Sequence, residues 1–155
     1  MERIQQIGVI ADTHGHLPAS VATHFKSVDL IVHAGDIDHP DILKALRKWA
    51  PVIAVRGNMD RGEWARQLLP AEMMDLEGGY LYILHDLNHL DLVPESIGIK
   101  AVISGHTHRP VTIQRNGVLY LNPGSAVYPR QGADPTVALL NIGDLTWSAL
   151  HVQLS

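Results

Sequence analysis

Five short apolar runs along the chain each stop at a side chain that can hold a metal, and this repeated construction orders the whole sequence. Residues 5–11 form a continuous apolar run of strand length, as a strand buried on both faces requires, and Asp12-Thr13-His14-Gly15-His16 breaks it. Pro18 then opens a short helix whose apolar positions Leu17, Val21, Ala22 and Phe25 fall on one face. Residues 30–34 predict a second buried strand, ending at Gly35-Asp36. Asp38 or His39 caps the next helix, with Pro40 in its first turn. There Ile42, Ala45, Leu46 and Trp49 keep helical spacing, while Asp41, Lys44, Arg47 and Lys48 face water. Pro51 leads into a third strand over 52–55, before Gly57-Asn58. The order βαβαβ predicts a parallel sheet with right-handed crossovers, in which ligands bind beyond the carboxyl ends of the strands. Asp12, His14, Asp36 and Asn58 all fall there.

The pattern then changes. Residues 61–69 read as a loop and a short helix ended by Pro70. Runs at 73–76 and 80–84 flank Gly78-Gly79 as a hairpin whose second arm stops at His85. Residues 86–97 are irregular or weakly helical with a break at Pro94, and 100–104 form another buried strand before Gly105-His106-Thr107-His108. Asn116-Gly117 supplies the positive φ of a type I′ turn between strands at 111–114 and 118–121. A closing hairpin spans 136–154 around Gly143-Asp144. No repeat, low-complexity tract or linker interrupts the chain. The expectation is one α/β domain over 1–155, built of two packed sheets with helices outside.

Composition narrows the function. The chain has 155 residues, 46% of them hydrophobic and 18% charged, which is globular. Its net charge is −4, with Lys and Arg scattered, so it lacks the positive footprint of a general nucleic-acid or membrane-surface binder. There is no cysteine, so any metal must sit on imidazole, carboxylate or amide. No signal-peptide core or membrane-spanning run is present, and a cytoplasmic protein is expected. Ten histidines are many for this length.

Two divalent ions about 3.5–4 Å apart can activate a bridging water and clamp the oxygens of a phosphoryl group. Such a site needs a shared carboxylate and mixed imidazole, carboxylate and amide ligands. Asp36 is the candidate bridge; Asp12, His14 and His108 complete one ion, and Asn58, His85 and His106 the other. Two dications set against two carboxylates and a hydroxide leave one net positive charge, suited to a phosphate-ester anion. Each residue also has an ordinary alternative: Asp12 and Asp36 as helix caps, Asn58 as a turn residue, and His85, His106 and His108 as structural or loop histidines.

Asp12-Thr13-His14-Gly15, Gly35-Asp36, Gly57-Asn58, His85 and Gly105-His106-Thr107-His108 resemble, in order, the blocks of the calcineurin-like metallophosphoesterases. Asn122-Pro123-Gly124-Ser125 is similar to a late loop of the small prokaryotic phosphodiesterase subgroup. The resemblance covers nearly the whole chain. It implies a four-layer α/β/β/α sandwich of two mixed sheets. It also implies a dinuclear centre of manganese foremost, or of iron, zinc, nickel or cobalt. Phosphomonoesters or phosphodiesters would be hydrolysed there by a hydroxide bridging the ions, with Asp36 and Asn58 in the machinery. Other members of the fold act as a protein-binding scaffold in the retromer coat, or hydrolyse nucleotide polyphosphates such as diadenosine tetraphosphate. A small phosphate ester is the expected partner, and a homodimer is possible through an exposed sheet edge.

The chain departs from that pattern in two places. Met59 stands where catalytic relatives often carry a histidine that protonates the leaving group, and His16 and His39 are the candidate replacements. Asp86 stands where the family usually has glycine, and His89 nearby has no assigned part. Arg109, with Arg56 and Arg130 behind it, is the candidate phosphate grip. Asn122 to Ser125 offer backbone N–H groups to an anion. His33, inside a strand, reads as a core or supporting residue. Trp49 and Trp64 read as core anchors.

Overall fold

A computed structural model of the protein describes residues 3–130 and 132–154. Strands β1 (Gln6–Ile10), β2 (Leu30–His33) and β3 (Val52–Ala54) run parallel, joined by helices α1 (Val21–Phe25) and α2 (Pro40–Arg47). A short α3 (Glu63–Arg66) follows. The β4 (Ala71–Leu76) and β5 (Gly79–Leu84) hairpin opens the second sheet, and β6 (Ile99–Ile103) lies parallel to β5. Strands β7 (Pro110–Arg115) and β8 (Val118–Pro123) pair around Asn116 and Gly117, both at positive φ as a type I′ turn demands. The closing hairpin of β9 (Thr136–Ile142) and β10 (Trp147–Gln153) returns to the first sheet, beside β1. The sheets are therefore ordered β10-β9-β1-β2-β3 and β4-β5-β6-β8-β7, each of mixed direction.

Strand periodicity explains the layers. Ile7, Val9 and Val32 face the second sheet, where they meet Leu81, Ile83, Ala101, Ile103, Leu119 and Leu121. The alternate residues Ile10 and Ile31 face outward onto Phe25, Ile42 and Leu46 of the helices. Gly8 is required on that outer face, because a Cβ there would stand 2.9 Å from the Phe25 ring. On the far side, Leu84, Ile99, Val102 and Val118 are covered by Leu90 and Leu92. That fourth layer consists of two 3₁₀ turns, Leu87–His89 and Pro94–Ser96, in place of an α-helix. Asp86 caps the first turn and Pro94 starts the second.

The α1 segment is shorter than Pro18 suggested, since residues 18–20 form only i→i+3 turns into Val21. Trp49 and Trp64 are half-buried at the rim of the helical layer, not central in it. Among the described residues no helix is long and apolar enough to cross a membrane.

Candidate metal centre

The parallel pairing of β1 and β2 continues past their ends. Asp12 N–H donates to Gly35 O at 3.0 Å, His14 N–H to Asp36 O at 3.0 Å and Gly15 N–H to Ile37 O at 2.8 Å. The two metal-capable loops are thus zipped together before any side chain acts. Among the described residues, seven non-glycine positions have positive φ; Asn116 is in its turn, and the other six are Asp12, His14, Asp36, Asp38, His106 and His108. L-residues avoid this region, at a cost on the order of 1 kcal/mol or more each, and such strain collects where function holds it. Here it turns side chains from successive strand ends into one space.

Two clusters result, Asp12 with His14 and His108, and Asp36 with His85 and His106. The Asp36 carboxylate lies between them: its Oδ2 is 3.2 Å from His85 Nε2 and 4.0 Å from His14 Nε2. Asn58 joins the second cluster, with Oδ1 3.0 Å from His85 Nε2. All seven residues named as ligands from the sequence are brought together.

The tautomers decide what the space between them attracts. His85 Nδ1 is 2.7 Å from Ala34 O and His108 Nδ1 is 2.6 Å from Tyr128 O. A carbonyl only accepts, so both Nδ1 atoms carry protons. Nε2 of the neutral His108 ring presents a lone pair inward, and Nε2 of His85 does so once the proton it shares with Asp36 is displaced. His14 Nδ1, 3.1 Å from Asp38 Oδ2, is held the same way by a carboxylate. The Nε2 atoms of His14 and His108 then face each other at 3.3 Å. Asp12 Oδ1, buried beside them, has no hydrogen-bond partner among the described residues. Lone pairs converging on lone pairs repel unless a cation sits among them, and imidazole with carboxylate and amide oxygen suits first-row divalent ions.

Titration agrees with this crowding. Burial, with the neighbouring Asp36 charge, pushes Asp12 up to about 7 against the pull of His85. For Asp36, burial alone would raise the carboxyl, but the hydrogen bond from His85 and the N–H of Met59 outweigh it and hold it low. Burial works against protonation of His85, but Asp36 overcomes it and raises the ring above its usual range. Burial lowers His108.

The glycines of the strand ends are spacers. A Cβ on Gly35 would stand 2.7 Å from His85 Nδ1, and one on Gly105 would stand 2.9 Å from Asp12 Oδ2. On Gly57 it would overlap the N and Oδ1 of Asp36.

Supporting residues were less visible in the sequence. Asp60, buried, accepts N–H groups from Asp36, Ile37, Asp38 and Gly57, and burial raises its carboxyl in spite of them. His33 accepts the Gly35 N–H at Nδ1 and donates from Nε2 to Thr13 Oγ1 at 3.0 Å, bracing both loops. Burial, then the charge of His85, lowers its ring to about 3. The 122–125 loop acts in the same way, not as an open anion cradle. Asn122 Nδ2 donates to Gly105 O and Thr107 Oγ1, and Ser125 Oγ donates to Asp12 O. An Asx or Ser in a turn gives no sign in one dimension of what it braces.

The remaining candidates lie apart from the clusters. His39 is the N-cap of α2, its Nδ1 accepting the Asp41 N–H, and among the described contacts its ring touches no cluster residue. His16 and Arg109 are exposed, and among the described contacts neither side chain touches a cluster residue. Arg130 is near enough to His108 to oppose its protonation. Arg56 and His89 instead line a cleft of about 360 Å³ beside Asn58, His85 and His106.

The calcineurin-like phosphoesterase superfamily domain matches residues 6–145. The chain therefore belongs to that superfamily of metal-dependent phosphoesterases. A probable metallophosphoesterase of Methanothermobacter thermautotrophicus is 37% identical over 148 residues, covering 88% of this chain and 85% of its own. Phosphodiesterase YfcE of Escherichia coli is 30% identical over 176 residues, covering 92% of this chain and 91% of its own. The crystal structure of Vps29 from Chaetomium thermophilum superposes with a TM-score of 0.81 over 97% of this chain and 89% of that one; at 17% identity it shares the fold alone.

Proposed function

We propose that the protein hydrolyses a small phosphate ester in the cytoplasm, using two divalent cations held by Asp12, His14 and His108 on one side and by Asn58, His85 and His106 on the other, with Asp36 shared. The inward-facing lone pairs of His14 and His108, set against Asp12 Oδ1, support this reading most directly. Manganese is the foremost choice, and iron, zinc, nickel and cobalt accept the same donors. Such a pair supplies Lewis acidity toward phosphoryl oxygens and a water acidic enough to act at neutral pH. The chain's own contribution is to fix that geometry. Ala34, Asp38 and Tyr128 set the tautomers and orient the rings, and Asp36 keeps its charge because His85 and the Met59 N–H hold it.

Metal-stripped protein reloaded with Mn²⁺, Ni²⁺ or Zn²⁺ is the test, with an aryl phosphomonoester and an aryl phosphodiester as substrates. Metal-dependent turnover is expected, because the aryl leaving group of both substrates compensates for Met59, and faster on the diester, in keeping with the phosphodiesterase relatives. No turnover with any metal, or turnover unaffected by chelation, overturns the proposal and leaves a protein-binding scaffold as the reading.

A further inference from the structure

The cleft beside the second cluster holds one histidine to which the ligand set assigns no part. Asn58, His85 and His106 border it, and Pro70, Tyr82 and Leu84 give it an apolar lining. His89 lines it too, on the 3₁₀ turn Leu87–His89. Asp86 builds that turn: its Oδ1 accepts the Asn88 N–H at 3.0 Å, and its carbonyl accepts the His89 N–H at 2.9 Å. The other carboxylate oxygen is 4.0 Å from His89 Nε2 and 3.7 Å from His106 Nε2. One carboxylate thus relates a cleft histidine to a ligand histidine, and a glycine at position 86 would keep only the backbone bond to His89. The His89 side chain is 81% exposed, open to the cleft and to water. Met59, next to Asn58, has no proton to give, and His39 caps its helix and does not line the cleft.

Building on the hydrolase reading, we propose that this cleft seats the leaving group of the ester and that His89 is the acid that protonates it, with Asp86 as its positioning residue. The substrate class is then an ester of an alcohol of ordinary basicity joined to a flat apolar body, which Tyr82 and Leu84 cover. As the bond from the attacking water oxygen to phosphorus forms, the bond from phosphorus to the leaving oxygen breaks. That oxygen takes the electron pair and a proton from His89 Nε2. The attacking water gives its own proton to solvent, and neutral His89 recovers one from solvent.

The acid is tested with His89→Gln on two diesters, bis(4-nitrophenyl) phosphate and diphenyl phosphate, in Mn²⁺-loaded enzyme. An acid matters more for the more basic phenolate, so the variant should lose about 100-fold more kcat on diphenyl phosphate than on the nitrophenyl ester. Equal loss on both, or none on either, overturns the assignment. Turnover of neither ester by the wild type instead removes the hydrolase reading and the acid with it. The seat is tested without turnover. 4-Nitrophenol titrated into metal-free protein should shift the ring resonances of Tyr82 and His89 in NMR spectra, and unmoved resonances overturn the leaving-group site.

Discussion

The carboxylate of Asp60 accepts the backbone N–H of Asp36 at 3.0 Å, and the same two oxygens take the N–H groups of Ile37, Asp38 and Gly57 at 2.8 Å each. A buried side chain with no place in either cluster therefore hangs the loop that carries the shared carboxylate. Asp60→Ala leaves four buried donors unpaired and should cost about 3 kcal/mol or more in denaturant unfolding. Asp60→Asn should rescue little, because its NH₂ meets N–H donors where Oδ2 now accepts. Either variant within about 0.5 kcal/mol of wild type would refute this account.

Gly57→Ala should separate folding from metal binding. Its Cβ overlaps Asp36 N and Oδ1, so the shared carboxylate must move while both hydrophobic layers stay intact. Mn²⁺ affinity by calorimetry should fall about 10–100-fold, the range seen when a ligand's support is disturbed. Unchanged affinity would show that Asp36 is not held by this contact.

His33 should make the protein acid-sensitive. Its folded pKa of about 3 lies below the ordinary 6.5, so between those values the unfolded chain binds the extra proton and stability falls as pH falls. Wild type and His33→Gln, compared by urea unfolding, should differ by an amount that changes about 1.4 kcal/mol per pH unit across that window and is flat above it. A pH-independent difference would mean that the ring is not buried in its neutral form.

Cation binding should expel a proton from Asp12. Pushed up to about 7 in the metal-free protein, this carboxyl must ionise to serve as a ligand. Below pH 7, Mn²⁺ titrations in buffers of different ionisation heat should show release of about one proton or more, since His85 is also raised, fading as pH climbs well above 7. Heats independent of buffer at pH 6 would place Asp12 outside the coordination.

Much of this was legible along the chain. The strands at 5–11, 30–34 and 100–104 are recognisable because burial on both faces requires unbroken apolar runs, and their ends are marked because a metal-capable residue interrupts them. Asn116-Gly117 identifies its hairpin by the φ it needs. His16, His39 and Arg109, however, were chosen for nearness in sequence to ligand positions, and nearness along a loop does not fix direction. His39 went to a helix cap, a bond that any competent acceptor at that position makes.

The sequence alone determined the residue types that can meet a metal and the strand ends that carry them, because apolar periodicity and side-chain chemistry are local properties. Only the tertiary structure decided that Asp60 suspends Asp36, that Ala34 and Tyr128 set the tautomers, and that His89, not His16, enters the cleft. Each of these depends on atoms brought within hydrogen-bonding or van der Waals reach from distant positions in the chain, and on backbone turned to positive φ at residues that locally resist it. The packing of two sheets against each other provides the free energy that makes both possible.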